Sequence, residues 1–387
     1  MKTVNNRRHL YLIYAMSIFF VLHYVFPVYI ISTFLSEYLS EGLVGVVYTA
    51  ASILTIFGFI LASRGVRRLG NFWTTLILVL IEVATLIALV IFRDFVIVIP
   101  AIIVHLILAT VIGYNIDLFI EAYSIDSETG GIRGTNLTLN NMAWVVGPII
   151  AGFLLTNSDY WKIFLAALVM LVPMLALLIT RFRKFDDPPY ARVRFFNSLR
   201  HVWGNPNVRN VFCANFMLQV FFAWMTIYTP LYLHEHIGLP FSEIGVIFTI
   251  MLSAYILLEY PLGKLADSTY GEVEFMTGGF LLIAVTTVLL SVFTLSSALW
   301  WAAALFATRI GASMVEVMSE TYFFKKIDSS GAGDLSIFRM TRPLGYIIAP
   351  ALASGFLSFF DMRYLFVFIG CMALFGIYFA LQLKDTR

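Results

Sequence analysis

The sequence predicts an all-α integral membrane protein in which twelve transmembrane helices form two pseudo-symmetric six-helix bundles. Three observations predict this fold class. Of the 387 residues, 60% are hydrophobic and only 12% are charged, long apolar runs recur along the whole chain, and its two halves share a pattern of residues. A soluble globular protein usually carries about 25% charged residues. The composition therefore excludes a water-soluble enzyme.

Twelve apolar runs are long enough to cross a bilayer as helices, which satisfy their own backbone hydrogen bonds in hydrocarbon. The first run is too long for the core of a signal peptide and lacks a convincing small-residue cleavage site, so we interpret it as a retained helix. We predict spans near residues 10–35, 42–62, 71–92, 95–122, 135–157, 161–181, 209–233, 241–263, 273–294, 298–323, 335–358 and 362–383.

The basic residues predict the topology, because Lys and Arg prefer cytoplasmic loops. With the N-terminus inside, most of the 25 basic residues fall in cytoplasmic loops, and only Arg93, Lys162 and Arg363 fall in external ones. Both termini are therefore expected in the cytoplasm. The net charge of +2 is too balanced to attract a nucleic acid, so we expect no nucleic-acid partner.

One long connection, residues 182–208, divides the chain into two domains of six helices each. We predict an N-terminal bundle over 1–181 and a C-terminal bundle over 209–387. Within the connection, apolar residues recur at helical spacing with arginines around them, which predicts a short amphipathic helix on the membrane surface. These residues are Val193, Phe196, Leu199 and Trp203.

The two halves resemble one another at matching positions of the fourth and tenth spans and of the fifth and eleventh spans. Within each set, every residue of the second half lies the same number of positions after its match in the first half. Two similar bundles related by an axis normal to the membrane are typical of transporters. The matched sets are Gly147-Pro148, Asp159 and Phe164 with Ala349-Pro350, Asp361 and Phe366, and Asp117, Glu121 and Tyr123 with Glu316, Glu320 and Tyr322.

A loop motif stands between the eighth and ninth spans. It runs Pro261-Leu262-Gly263-Lys264-Leu265-Ala266-Asp267-Ser268-Thr269-Tyr270-Gly271-Glu272. This motif resembles the Gly-x-Leu-Ala-Asp-(Arg/Lys)-x-x-Gly signature of the major facilitator superfamily, with Gly263, Asp267 and Gly271 at the matching positions. The resemblance implies that this loop helps to close the cytoplasmic side. In the first-half copy, Ser63 stands where the family has the acid, which departs from the pattern.

A second motif lies in the fifth span. Gly147, Pro148 and Gly152 fit the Gly-Pro-x-x-x-Gly pattern that the family's proton-driven exporters carry. The resemblance therefore implies a secondary transporter of the bacterial inner membrane that exports a drug or small metabolite against protons. Two alternatives stay open: proton-coupled uptake by symport, and a sensor or scaffold that kept the fold and lost transport.

Neither a phosphate-binding loop nor a metal-ligand spacing occurs in the sequence, so we expect no cofactor, no metal and no enzymatic activity. The expected partners are a small-molecule substrate, protons and the lipid bilayer, and we expect the protein to be a monomer.

Charged residues inside the spans are candidate functional residues, because an ionisable side chain near the bilayer centre costs at least about 2.5 to 3.5 kcal/mol. Two polar stripes lie at helical spacing in the fourth and tenth spans. For Asp117, a proton-carrying role and a structural role stay open, whereas Glu316 shares a face with Arg309 and is expected to pair with it. The stripes are Thr110, Gly113, Asp117 and Glu121 in the fourth span and Arg309, Ser313, Glu316 and Glu320 in the tenth.

The outer acids of both stripes lie near the predicted cytoplasmic ends of their spans. We expect Glu320 to pair with Arg339 or Arg342, and Glu121 to contact the start of the fifth span, as structural locks. The substrate's charge stays open, because Arg309 argues for an anionic group and Asp117 for a cationic one.

His23, near the middle of the first span, is a candidate proton acceptor or a histidine bonded to a neighbouring helix. Glu82 in the third span is expected to stabilise a local helix contact, and His105 has no assigned role. In the seventh span, Asn215 and Gln219 either line a cavity or form hydrogen bonds between helices.

Overall fold

The computed structural model describes residues 2–123, 129–155, 159–188, 195–268, 271–292, 297–326 and 332–384. In these ranges the chain is helical and contains no strand. The helices are α1 (Lys2–Val28), α2 (Ile31–Ser36), α3 (Glu41–Leu69), α4 (Asn71–Ile91), α5 (Phe95–Tyr123), α6 (Thr129–Leu154), α7 (Tyr160–Arg181), α8 (Phe195–Gly204), α9 (Pro206–Glu235), α10 (Phe241–Ser268), α11 (Glu272–Leu290), α12 (Ala298–Lys326), α13 (Ala332–Arg339), α14 (Thr341–Leu357) and α15 (Met362–Leu381).

Eleven helical segments in the described ranges are long and apolar enough to cross a membrane. α14 has 17 residues and occupies most of the eleventh predicted run. Each of the twelve predicted runs is therefore helical along most of its length.

Two of the predicted runs are interrupted, and a proline lies beside each break. α1 and α2 share the first run, and the break between them follows Pro27. Proline lacks the N–H that would bond to the carbonyl of His23, four residues earlier. α13 and α14 share the eleventh run, and Pro343 likewise lacks an N–H for the carbonyl of Arg339. Hydropathy is continuous across both breaks, so it did not predict them.

Helix packing divides the chain into two compact units. Unit 1 comprises residues 1–38 and 50–190, and unit 2 comprises residues 39–49 and 191–387. In unit 1, α1 packs on α5, α6 and α7, and α4 packs on α5 and α7. In unit 2, α11 packs on α12 and α15, α10 packs on α12, and α9 packs on α12, α14 and α15. The beginning of α3 belongs to unit 2 and the remainder to unit 1.

Glycine allows one very close helix contact in unit 2. A Cβ atom built on Gly279 of α11 would lie 2.7 Å from the carbonyl oxygen of Gly311 on α12, and the reverse distance is the same. Two backbones can approach this closely only where neither residue has a side chain, which is a common basis of helix association in membranes.

α8 is the helix predicted in the long connection. Its Val202 is fully buried in the core of unit 2, and the ring of Trp203 meets the ring of Phe212 at a centroid distance of 5.5 Å. His201 Nδ1 lies 2.6 Å from Asp334 Oδ2 on α13. One face of α8 therefore packs on α9 and α13, and its position on the membrane surface stays a prediction.

An ion pair at the ends of two spans links α9 to the beginning of α3 within unit 2. His236 follows the last residue of α9, and its Nε2 lies 2.5 Å from Oε1 of Glu41, the first residue of α3. The hydrogen bond to this carboxylate raises the pKa of His236 above its usual value. The histidine side chain is 40% exposed, so solvent weakens the pair.

This pair is expected to make the stability of unit 2 depend on pH. Because folding raises the pKa of His236, the stabilisation is complete below about pH 6.5, the pKa of an unperturbed histidine, and is lost as pH rises through the folded value. Thermal unfolding of the detergent-solubilised chain tests this. The difference in melting temperature between the wild type and His236→Gln should be largest at about pH 5.5 and smallest at about pH 9.

His234 provides the matched control, because its ring Nδ1 lies 3.1 Å from the carbonyl of Leu239 rather than from a carboxylate. His234→Gln should shift the melting temperature by a similar amount at both pH values. An equal effect of His236→Gln at both pH values would contradict the prediction.

Candidate functional site

Three ionisable side chains meet inside unit 1, where α1, α4 and α5 pack together. His23, Glu82 and His105 are each fully buried. Glu82 Oε1 lies 3.0 Å from His23 Nε2 and 2.5 Å from His105 Nδ1. His23 Nδ1 lies 2.8 Å from the carbonyl oxygen of Phe20, one turn earlier in α1. These three side chains are called the unit 1 triad below.

The triad keeps two polar atoms with no hydrogen-bond partner in the described part of the chain, Glu82 Oε2 and His105 Nε2. A carboxylate and two imidazoles are also residue types that bind divalent metals, and within the described ranges this is the group whose atoms lie close enough together to do so. The sequence predicted no metal site because no metal-ligand spacing occurs along the chain. Spacing along the chain cannot detect ligands that come from three separate helices.

His23 was the one triad member that sequence analysis selected as a functional candidate. Glu82 is the only ionisable residue of α4, and His105 lies in an equally apolar part of α5. A buried ionisable group in hydrocarbon needs a partner, so a lone ionisable residue in one span is expected to pair with a lone ionisable residue in a neighbouring span. That rule could have predicted the contacts of Glu82 with the two histidines.

A neutral polar network lies in the same α4–α5 interface. The side-chain amide of Asn71 donates to the carbonyl of Asn115 at 3.0 Å, and the amide of Asn115 donates to Thr75 Oγ1 at 3.1 Å. All three side chains are fully buried. The network joins the same two helices as the triad but contains no ionisable group.

The polar stripe predicted on α5 lies on the exposed surface of unit 1. Thr110, Tyr114, Asp117 and Glu121 are exposed at spacings that place them on one face of the helix. Gly113, which the sequence placed in this stripe, is half-buried beside the ring of Phe20. The two carboxylates therefore lie on the exposed surface of unit 1, unlike the buried triad.

Arg309 is buried in unit 2, with 3% of its surface exposed. Its guanidinium carbon lies 5.6 Å from the ring centre of Phe221 and 5.2 Å from that of Phe222, distances suited to cation–π attraction. Arg309 Nη1 lies 3.4 Å from the hydroxyl of Tyr255, a long hydrogen bond. Two phenylalanine rings of α9 and a tyrosine hydroxyl of α10 thus contact the guanidinium.

The rest of the α12 stripe is buried or half-buried, in contrast to the stripe on α5. Ser313 is buried, and Glu316 and Glu320 are half-buried. Arg339 Nη1 of α13 lies 2.5 Å from Glu320 Oε1, so the predicted pair forms with Arg339. Arg342 is exposed. The pair lies within unit 2, and its role as a cytoplasmic lock stays a prediction, as does the pair of Arg309 with Glu316.

Asn215 joins three helices of unit 2. Its amide nitrogen donates to Ser319 Oγ on α12 at 3.0 Å, and its amide oxygen accepts from Thr341 Oγ1 on α14 at 2.7 Å. Gln219 is also buried, and its backbone lies against Gly345 of α14. Of the two roles that the sequence left open, these contacts favour hydrogen bonding between helices for Asn215.

The loop motif falls partly outside the described residues. The backbone of Gly263 and Asp267 lies in the last part of α10, but the Asp267 side chain lies outside the described part. Gly271 precedes α11 with a φ of −77°, which other residues also adopt. The role of this loop in closing the cytoplasmic side therefore stays a prediction.

The fifth-span motif lies on a packed face of α6. Gly147, Pro148 and Gly152 are all buried. A Cβ atom on Gly147 would overlap the side chain of Val25 on α1, so only glycine permits this contact between α6 and α1. The motif thus has a packing role in unit 1 whatever its role in transport.

Comparisons with known proteins extend this description. Residues 225–387 match the family model of the Major Facilitator Superfamily. No curated protein sequence matches the chain. The fold is similar to that of a POT family transporter, PepTSo, with a TM-score of 0.76 and 12% identity over 97% of both chains.

Two further solved structures share the fold. An auto inhibited POT family peptide transporter has a TM-score of 0.75 and 13% identity over 98% of both chains. A variant of the nucleoside transporter NupG has a TM-score of 0.77 and 11% identity, covering 97% of this chain and 100% of that one. At such identities the likeness shows the fold alone.

The matched residues include the loop motif from which the sequence resemblance was inferred, and the shared fold covers both halves of the chain. The predicted fold class of two six-helix bundles is confirmed. The C-terminal part of the chain therefore matches the Major Facilitator Superfamily, and the whole chain has the fold of multi-pass membrane transporters.

Proposed function

We propose that the chain exports a small molecule by alternating access, in exchange for protons. The observation that carries proton coupling is the exposed stripe on α5, where Asp117 and Glu121 lie at the surface of unit 1 within a membrane span. A carboxylate facing lipid would be costly, so such residues line water-filled paths or meet other charged groups. A carboxylate on such a path can bind and release a proton during transport.

The direction of transport rests on the motif of Gly147, Pro148 and Gly152. This pattern is the one that proton-driven exporters of the family carry, and in unit 1 all three residues are buried. The motif therefore supports export. The chain would work as a monomer in a bacterial inner membrane, with both termini in the cytoplasm.

Uptake by symport is the second candidate, because the same carboxylates serve either direction. The solved structures with this fold include a peptide transporter and a nucleoside transporter, and those substrates belong to those proteins alone. For this chain the substrate is a small molecule whose charge complements Asp117, Arg309 or both.

Reconstituted proteoliposomes test the function and its direction. A thermal-shift screen at two pH values first selects a ligand from a panel of organic cations, organic anions, short peptides and nucleosides. An imposed pH gradient should then drive export of that ligand with protons moving oppositely. Protons moving in the same direction would replace export with symport, and no flux with any ligand would favour a sensor or scaffold.

Asp117→Asn is expected to abolish proton movement during transport while leaving a folded protein. The asparagine keeps the size of the side chain on the exposed face of α5 but cannot exchange a proton. Proton flux in proteoliposomes and the thermal unfolding curve are the two measurements.

Asp159→Asn is the matched control for that experiment. Asp159 lies in unit 1 but outside the spans, immediately before α7, and pairs with Lys162 at 2.6 Å. This variant should keep wild-type coupling. Wild-type proton movement in Asp117→Asn would contradict the assignment of Asp117.

Arg309 is proposed to be paired with Glu316, two turns further along α12. Removing one partner of a buried pair typically costs about 3 to 5 kcal/mol, so Arg309→Ala should lower the thermal stability. Adding Glu316→Gln should recover much of that loss, because the stranded charge is then gone. The readouts are the melting temperature and transport of each variant.

The stability of the double variant decides between the two roles of Arg309. A double variant that regains stability and transport supports a structural pair, and one that regains stability without transport supports a pair that opens to bind substrate. A double variant no more stable than Arg309→Ala alone would refute the pair and favour direct binding of an anionic substrate group.

A further inference from the structure

We propose that His23, Glu82 and His105 together hold one exchangeable proton inside unit 1, at a site separate from Asp117. This inference deepens the proposed function. It rests on that function in one respect only, namely that the coupling ion is the proton. Its evidence is the arrangement of hydrogen-bond donors and acceptors around one carboxylate oxygen.

The first step concerns His23. Its Nδ1 lies 2.8 Å from the carbonyl oxygen of Phe20, and a carbonyl oxygen can only accept. Nδ1 therefore carries a hydrogen. Its other nitrogen, Nε2, lies 3.0 Å from Glu82 Oε1. A neutral histidine has one N–H, so the Nε2–Oε1 contact needs a second proton, on either the ring or the carboxyl group.

The second step concerns His105. Its Nδ1 lies 2.5 Å from the same oxygen, Glu82 Oε1. When Nδ1 of a neutral His105 donates to this oxygen, Nε2 of His105 keeps a bare lone pair. One carboxylate oxygen thus stands between two ring nitrogens, and the proton count of the whole group is determined by these contacts.

Two arrangements satisfy all of the contacts with one shared proton. In the first, Glu82 is ionised, His23 is a cation with both ring nitrogens protonated, and His105 is neutral. In the second, the proton has moved from His23 Nε2 to Glu82 Oε1, and all three groups are neutral. Both arrangements have zero net charge, which suits a site with no exposure to solvent.

Loss of the shared proton changes both charge and packing. The lone pair of His23 Nε2 would then face a carboxylate oxygen at 3.0 Å, and the buried group would carry one negative charge. Such a charge is unfavourable in a span. Release of the proton is therefore expected to require that α1 move relative to α4 and α5 or that water enter.

Other charged groups do not supply the missing charge. Within the described ranges, the hydrogen bonds and ion pairs of Glu82 involve only the two histidines. α4 has no further ionisable group. On the helices packed around the triad, the charged residues lie towards helix ends or on the α5 stripe, whereas Tyr14 and Tyr24 lie inside α1. The ionisable residues of α1, α5 and α7 outside the triad are Lys2, Arg7, Arg8, His9, Tyr11, Tyr14, Tyr24, Tyr114, Asp117, Glu121, Tyr123, Tyr160, Lys162 and Arg181, and Arg133 is the charged residue of α6.

The distances favour a proton over a metal ion as the occupant. Ligands at about 2.0 to 2.2 Å from a tetrahedral zinc lie about 3.3 Å or more from one another. The two nitrogen-to-oxygen distances in the triad, 3.0 and 2.5 Å, are shorter and match direct hydrogen bonds. A metal would have to separate these atoms, whereas a proton already fits between them.

Solid-state NMR of the full chain in liposomes tests the proposal. With 15N-histidine and 13C-glutamate labels, a titration from about pH 5 to about pH 9 should show His23, His105 and Glu82 changing together in one step. The chain has six histidines, so His23→Gln and His105→Gln assign the signals. Three independent titrations, or no change at any of the three groups, would overturn the proposal.

Glu82→Gln removes the carboxylate with little change in size, and the common step should be lost. Asn115→Ala is the matched control, because it alters a fully buried polar residue of the same α4–α5 interface that has no ionisable group. Asn115→Ala should keep the common titration step of the triad even if this variant is less stable than the wild type. If Glu82→Gln does not fold, the titration of the wild type alone decides.

Two further measurements separate the alternatives. Added Zn²⁺ should leave the triad signals unchanged, and saturable Zn²⁺ binding that Glu82→Gln abolishes would identify a metal site and overturn the proposal. Asp117→Asn should keep the triad's titration step. If the wild type shows the common titration step but moves no protons with substrate, the proposed function is wrong and the proton site of the triad stands. If the wild type couples transport to protons but shows no common titration step, the proton site of the triad is wrong and the proposed function stands.

Discussion

Hydrocarbon offers no hydrogen bonds, and this constraint accounts for the arrangement of the charged residues inside the spans. An ionisable group near the bilayer centre costs at least about 2.5 to 3.5 kcal/mol, while whole domains are stable by only about 5 to 15 kcal/mol. Glu82 meets the constraint with two imidazoles, and Arg309 meets it with aromatic rings and a tyrosine hydroxyl. Each solution requires side chains from three helices, so each also constrains how those helices pack.

The sequence predicted the helices well because a span is a local property of composition. It missed the breaks beside Pro27 and Pro343, which depend on single backbone hydrogen bonds. It also missed the triad, since Glu82 lies 59 residues from His23 and 23 residues from His105. Spacing along one helix places Thr110, Asp117 and Glu121 on one face of α5, but no pattern within one helix can show which groups on other helices meet that face.

The two halves share a residue pattern but use it differently. On α5 of unit 1 the stripe that carries Asp117 is exposed, whereas on α12 of unit 2 the matching stripe that carries Arg309 is buried or half-buried. The added arginine explains part of this difference, because a guanidinium inside a span is stabilised by surrounding rings and the helix must turn it towards them. The two halves therefore share a helical framework while their ionic chemistry differs.

α1 connects the two features of unit 1 that are proposed to bear on transport. His23 joins α1 to α4 and α5 through the triad, and two residues later Val25 packs against Gly147 of the exporter-type motif on α6. The glycine contact leaves no space for a side chain between α6 and α1. Exchange of the proposed proton would change the charge beside His23, two residues from this contact. The motif and the triad can therefore act through one helix, although they share no residue.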